Sequence, residues 1–219
     1  MHKNLLNLQE IKKEIYLKKS ESQNVNIIAV SKTFSMEHIM PLIKNGHNHF
    51  GENKVQELVE KYEKLSKEIQ WQMIGHLQRN KVKFIAPFVR LIHGVDSEKL
   101  LKEIDKRAKQ NNRTIDCLLQ IHIANESTKF GFSEEEVLRI MKQKEDFKNI
   151  NIVGLMGMAT FTENETQIKE EFSFLSEIYK KYEQMNILSM GMSGDYKIAI
   201  ECGSTMVRIG STIFGNRNY

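Results

Sequence analysis

With 219 residues, 40% of them hydrophobic and 27% charged, and only 2 prolines, the chain has room for one large α/β core and none of the bias of a disordered or fibrous protein. Its net charge of +4 comes from scattered lysines with Asp or Glu nearby, as in Lys12-Lys13 and Lys180-Lys181, which marks solvated helix faces and excludes the concentrated basic stripe of a nucleic-acid binder. No apolar run reaches the ~20 residues of a membrane span, and the first twenty residues form a charged amphipathic helix without the apolar core of a leader, so a cytoplasmic chain is expected.

In chain order, residues 27–30 (Ile-Ile-Ala-Val) read as a strand buried on both faces, followed by Ser31-Lys32-Thr33. An ammonium at the mouth of such a strand loses solvation, which lowers its pKa and frees the amine to act as a nucleophile or Schiff-base former. The alternative is a lysine whose stem simply snorkels its charge to water. Further strands are expected at 49–51, 70–74, 91–95, 115–123, 152–158, 187–190 and 206–209. After the N-terminal helix, helical patterns fall at about 35–45, 53–67, 78–86, 97–110, 133–144, 164–184 and 194–201. Ser35, Asn53, Ser97, Ser133, Asn164 and Ser193 stand at N-cap positions, and Ser133-Glu134-Glu135-Glu136 has capping-box form. Met156, Met190 and Met192 read as core packing. Cys117 and Cys202 lack metal-ligand spacing and read as reduced structural thiols, so no metal site is expected.

Regular alternation of strand and helix, with no Pro- or Gly-rich linker, predicts one α/β domain over residues 1–219: a closed (β/α)8 TIM barrel with an extra helix outside it. An open doubly wound sheet is the alternative, but no Gly-x-Gly-x-x-Gly follows any strand. Barrel chemistry gathers at the C-terminal strand ends. In this chain those ends carry Lys32, Gly51-Glu52-Asn53, Gly75-His76, His93 with Asp96-Ser97, Lys129-Phe130-Gly131, Met158, Gly191-Met192-Ser193-Gly194 and Arg208-Ile209-Gly210-Ser211. The last two ends fit the barrel's usual phosphate site, with Ser193 and Ser211 as added hydroxyl donors or as plain N-caps. A phosphate there, next to a lysine on the first strand of a closed barrel, suits pyridoxal 5'-phosphate. Arg208 would face the ring nitrogen and, always protonated, weaken the cofactor as an electron sink; the alternative is a structural ion pair.

Ala29-Val30-Ser31-Lys32-Thr33, Phe50-Gly51-Glu52-Asn53-Lys54-Val55-Gln56-Glu57, Ile74-Gly75-His76-Leu77-Gln78, Asn80-Lys81 and Gly203-Ser204-Thr205-Met206-Val207-Arg208-Ile209-Gly210-Ser211-Thr212-Ile213-Phe214-Gly215 resemble the pyridoxal phosphate homeostasis protein family, over essentially all of residues 27–219. The resemblance implies an alanine-racemase-like barrel with pyridoxal phosphate in Schiff-base linkage to Lys32 and Arg208 at the pyridine nitrogen. It further implies Gly210, Ser211 and Ser193 at the phosphate, Lys129 near the phenolic oxygen and Asn53 close to the cofactor. His76 either donates to the cofactor or to a loop carbonyl. Glu52 reads as an ion-pair or loop residue, His93 as a partly buried strand histidine and Asp96-Ser97 as a helix entry. Arg79 and His122 depart from the family's usual residues, away from the lysine and phosphate motifs.

Alanine racemase sets the lysine against a tyrosine from a separate domain of the partner subunit. This chain ends at Tyr219 and no such domain is expected, so the resemblance implies a non-catalytic carrier that holds pyridoxal phosphate and releases it to apo-enzymes, working as a monomer without nucleic acid or membrane. The alternative is a weak or specialised amino-acid racemase on the same site.

Overall fold

Parallel strands need a crossover of about a dozen residues or more, usually through a helix, and the chain supplies one between each strand and the next. In the computed structural model, which describes residues 2–124 and 130–215, eight parallel strands close into a barrel in sequence order. They are β1 (Asn26–Val30), β2 (His49–Glu52), β3 (Gln70–Met73), β4 (Leu91–Val95), β5 (Ile115–Gln120), β6 (Ile150–Met156), β7 (Ile187–Met192) and β8 (Met206–Ile209). Helix α1 (Lys3–Lys18) precedes the barrel. Then follow α2 (Met36–Ile43), α3 (Val55–Lys64), α4 (Val82–Ile85), α5 (Glu98–Gln110), α6 (Glu134–Lys142), α7 (Glu165–Lys180), α8 (Tyr196–Glu201) and α9 (Ser211–Phe214). The barrel is the expected architecture, and closure of β8 on β1, with Ile28 opposite Arg208, rules out the open sheet.

Alternation along each strand sorts the side chains into two cores. Ala29, Phe50, Trp71, Ile92, Cys117, Leu155, Leu188 and Val207 pack outward against the helices. Ile28, Leu91, Leu118, Met156 and Met206 fill the barrel itself. Helix α1 lies outside, against α2, α8 and α9, with Leu5, Leu8, Ile11 and Ile15 forming its buried stripe. Its asparagines tie it down: Asn4 Nδ2 donates to the His38 carbonyl at 3.1 Å and Asn7 Nδ2 to the Ile213 carbonyl at 2.9 Å.

Several expectations shift. Strand β5 stops at Gln120 rather than 123, because the chain folds back and the Phe132 N–H takes the Gln120 carbonyl at 2.8 Å. Asn53 and Ser193 are not N-caps: Lys54 and Asp195 occupy those positions. Ser133 does form a capping box with Glu136, and Asn164 accepts from the Gln167 N–H. Ser35 and Ser97 are N-caps by backbone alone. Met192 is not core; it stands exposed at the barrel mouth. Among the described residues no helix is long and apolar enough to cross a membrane, and no three His, Cys, Asp or Glu side chains gather to hold a metal ion.

Candidate functional site

Counting in twos from the inward residues reaches the C-terminal mouth of the barrel: Ile28, Val30, Lys32 from the first strand; Gly51, Asn53 from the second; Met206, Arg208, Gly210 from the last. There Val30, Lys32, Asn53, Arg208 and Gly210 line one cavity of about 780 Å³. Lys32, Asn53, His76, Ser193, Arg208, Gly210 and Ser211, seven of the eight positions the sequence pointed to, lie around it. The eighth, Lys129, falls outside the described residues. Smaller cavities of about 410 Å³ beneath α1 and about 530 Å³ beside His76 gather none of this set except His76.

Lys32 is half-buried in the turn that follows β1. The next residue, Thr33, has φ 69°, a left-handed conformation that costs a β-branched residue about 1–3 kcal/mol. On the other side of Lys32, Ser31 points outward with its hydroxyl on Glu52 Oε1 at 2.6 Å. Glu52 is wholly buried and salt-bridged to Lys61 at 2.7 Å, the ion-pair role expected of it. Burial nonetheless pushes its carboxyl up to about 7, against the pull of Lys61 and Ser31.

The cavity floor is a buried polar layer. Arg208 Nη1 donates to the Ser189 carbonyl at 2.9 Å and to Ser189 Oγ at 2.6 Å, and Nη2 donates to the Gly157 carbonyl at 3.2 Å. Burial brings the guanidinium down to about 10, opposed by Asp195, so it stays protonated at neutral pH. His93 is completely rather than partly buried; its Nδ1 lies 3.0 Å from Ser189 Oγ and its Nε2 2.7 Å from Gln72 Oε1. Burial and the nearby Arg208 hold it well below the usual imidazole range, hence neutral.

Between the ends of β7 and β8, Ser193 Oγ accepts the N–H groups of Gly210 at 3.1 Å and Thr212 at 3.4 Å. Just before Ser193, Gly191 lets the end of β7 lie against α8: its φ is 94°, and a Cβ there would lie 2.6 Å from Ala199 Cβ. Asp195 accepts the Met192 N–H at 2.5 Å, lines the cavity, and has its carboxyl raised by burial. Two backbone donors converging on a small hydroxyl beside a cationic guanidinium make an arrangement suited to an anion.

Across the mouth, His76 Nδ1 lies 2.9 Å from Asp96 Oδ2, so its partner is a carboxylate and not the loop carbonyl considered above. Asn53 lines the cavity with a buried Oδ1 that has no hydrogen-bond partner. The rim is apolar and open: Phe130, Met158, Phe161 and Met192 are all exposed around it. Asp195, Gln120 and Phe161 escaped the sequence reading. Gln120 was detectable as a polar residue closing the apolar run Cys117-Leu118-Leu119.

The family model described as alanine racemase, N-terminal domain, matches residues 6–218. A pyridoxal phosphate homeostasis protein of Aquifex aeolicus is 38% identical over 199 residues, spanning 88% of this chain and 87% of its own. Another from Haemophilus influenzae is 36% identical over 213 residues, spanning 92% and 90%. PipY of Synechococcus elongatus PCC7942, solved with PLP bound, superposes with a TM-score of 0.86 at 27% identity, covering 97% of this chain and 100% of that one. Alanine racemase of Clostridium difficile 630 shares the fold, with a TM-score of 0.77 at 16% identity, over 99% of this chain and 57% of the racemase.

Proposed function

Because this chain belongs to the pyridoxal phosphate homeostasis protein family, built on the alanine racemase N-terminal domain, we propose that it holds pyridoxal 5'-phosphate on Lys32 and releases it to other proteins. The observation that carries the reading is the convergence of Lys32, Arg208 and the Gly210–Ser193 contact on one cavity. The residues present fit the group. The cavity is of ordinary ligand size, the orphaned Asn53 Oδ1 awaits a donor, and the Gly210 and Thr212 N–H groups suit a phosphate. A Cβ at Gly194 would meet nothing within 4 Å, which leaves room beside them. When bound, the cofactor supplies an aldehyde with which an amine condenses reversibly, a C=N bond replacing C=O as water leaves.

In this reading Lys32 would supply the amine for the aldehyde, Arg208 would lie toward the pyridine nitrogen, and Gly210, Ser211 and Ser193 would hold the phosphate. Asn53 and His76 would flank the ring. Carriage rather than turnover is supported by the names of the relatives and by the composition of the mouth. Among the described residues lining it there is no tyrosine to serve as a second base opposite the lysine. A racemisation that lacks one of its two proton relays loses about 10²–10⁴-fold. The exposed rim leaves the bound cofactor open to amines of an acceptor apo-enzyme. We take the working unit to be a single chain, active in the cytoplasm.

The test compares two readouts on one preparation: transfer of bound cofactor to an apo-enzyme, and conversion of a panel of L-amino acids to their D-forms. Transfer without racemisation is expected. Racemisation at ordinary enzyme rates, on the order of 1–10³ s⁻¹, overturns the carrier reading in favour of an enzyme.

A further inference from the structure

Lys61 lies in the last turns of α3 and is buried, although Lys64, the helix's other lysine, faces water. Its ammonium donates to three acceptors: the Ser31 carbonyl at 2.7 Å, Glu52 Oε1 at 2.7 Å and Glu57 Oε1 at 2.8 Å. Three is the full donor complement of an ammonium, so the group is satisfied where it stands. The two carboxylates are shared with the turn after β1. Glu52 Oε1 also takes the Ser31 hydroxyl at 2.6 Å, and Glu57 Oε1 also takes the Thr33 N–H at 2.6 Å. The cluster thus grips the residue before Lys32 and the residue after it, while none of Glu52, Glu57 and Lys61 lines the cavity.

We propose that Glu52, Glu57 and Lys61 are positioning residues for Lys32: a buried ionic clamp from β2 and α3 that holds the Ser31–Thr33 turn in its left-handed shape and so aims the Lys32 amine into the cavity. The proposal rests on the reading that Lys32 bonds pyridoxal phosphate. Thr33 supplies the physical need. A β-branched residue at φ 69° relaxes to an extended conformation unless something holds it, and relaxation would swing the preceding side chain. Glu57 holds its N–H, and Lys61 fixes the carbonyl two residues earlier. A buried ion pair is a poor device for stability alone, because an apolar filling of similar volume commonly does as well. It is a good device for fixing a direction, since each partner accepts only a narrow geometry.

The experiment uses Glu57→Ala, Glu57→Gln and Lys61→Met in the full chain, with two ligands. Pyridoxal phosphate can bond an amine; pyridoxine 5'-phosphate has the same ring and phosphate but a hydroxymethyl in place of the aldehyde. The clamp predicts that Glu57→Ala and Lys61→Met slow the appearance of the visible absorption of the lysine-bound cofactor, by up to roughly a hundredfold, through misplacement of the amine. Affinity for pyridoxine phosphate should stay unchanged, and Glu57→Gln, which keeps an acceptor for the Thr33 N–H, should restore most of the rate. Glu57 is partly exposed, so its variants test the clamp even where Lys61→Met fails to fold. Equal losses for both ligands mean a merely structural role and overturn the proposal, as does an unchanged rate. Lys32→Ala separates the premise: if it binds pyridoxal phosphate with the wild-type spectrum, the Lys32 reading has failed and not the clamp.

Discussion

Arg208 donates to the hydroxyl of Ser189 at 2.6 Å, which ties the guanidinium into a chain of hydrogen bonds below the cavity. Gln72 Oε1 can only accept, so the neutral His93 carries its proton on Nε2, and its Nδ1 takes the proton of Ser189 Oγ, 3.0 Å away. His93 is then the Nε2–H tautomer and donates to Gln72 Oε1 at 2.7 Å, leaving the Gln72 amide nitrogen 3.4 Å from His49 Nδ1. The buried imidazole is neutral because Arg208 and burial both oppose its charge. The chain crosses the barrel from β8 to β2 and holds the guanidinium at the cavity floor.

Ser189→Ala should therefore be more than a surface-like truncation. It removes the donor to His93 Nδ1 and an acceptor from Arg208, both buried, and a stability loss of about 1–3 kcal/mol is expected. Urea unfolding measures it. A loss below about 0.5 kcal/mol, the range of an ordinary surface change, would show that the layer does not depend on this hydroxyl.

Glu52 makes a prediction with a definite sign. Its folded carboxyl is pushed up to about 7 from an ordinary 4.5, so between those values the folded chain keeps a proton that the unfolded chain has released. The stability this contributes is present below the window and lost as pH rises through it. His47 acts in the opposite sense: burial lowers it from 6.5 to about 4, and its contribution is lost as pH falls through that range. Comparing wild type with Glu52→Gln isolates the carboxyl. The urea midpoint of wild type, relative to the variant, is expected to fall between about pH 5 and pH 7.5, whereas a constant difference would place the Glu52 titration elsewhere.

The phosphate end gives a ligand comparison. If Gly210, Ser211 and Ser193 hold the ester, unphosphorylated pyridoxal loses charge-assisted bonds worth about 1.5–3 kcal/mol each, so it should bind roughly a hundredfold more weakly or worse. Inorganic phosphate should compete with the phosphorylated form only. Equal affinities for pyridoxal and its phosphate, measured by absorption titration, would move the phosphate away from these loops.

Much of this was readable from residues. Buried parallel strands are continuous apolar runs, so Ile27-Ile28-Ala29-Val30 and its counterparts stood out, and counting in twos from them leads to Lys32, Asn53 and Arg208 at the mouth. What sequence cannot carry is direction across space. Asn53 and Ser193 have cap chemistry, but the closure of the barrel turns one into the cavity and gives the other the Gly210 N–H. Met192 looked like core because it follows an apolar run, yet the strand ends there and its side chain has no layer to enter. Lys61 drew no notice in the sequence, where a lysine on an amphipathic helix reads as part of a solvated face. The signal was its place in the stripe Val55, Leu58, Lys61, which is the buried face of α3.

Borohydride reduction of cofactor-loaded protein followed by peptide mapping shows which amine bonds the cofactor. A pyridoxyl label is expected on the peptide containing Lys32, and is expected to be lost in a Lys32→Ala variant that still folds. A label that falls mainly on any other lysine of the wild-type protein would contradict the assignment to Lys32.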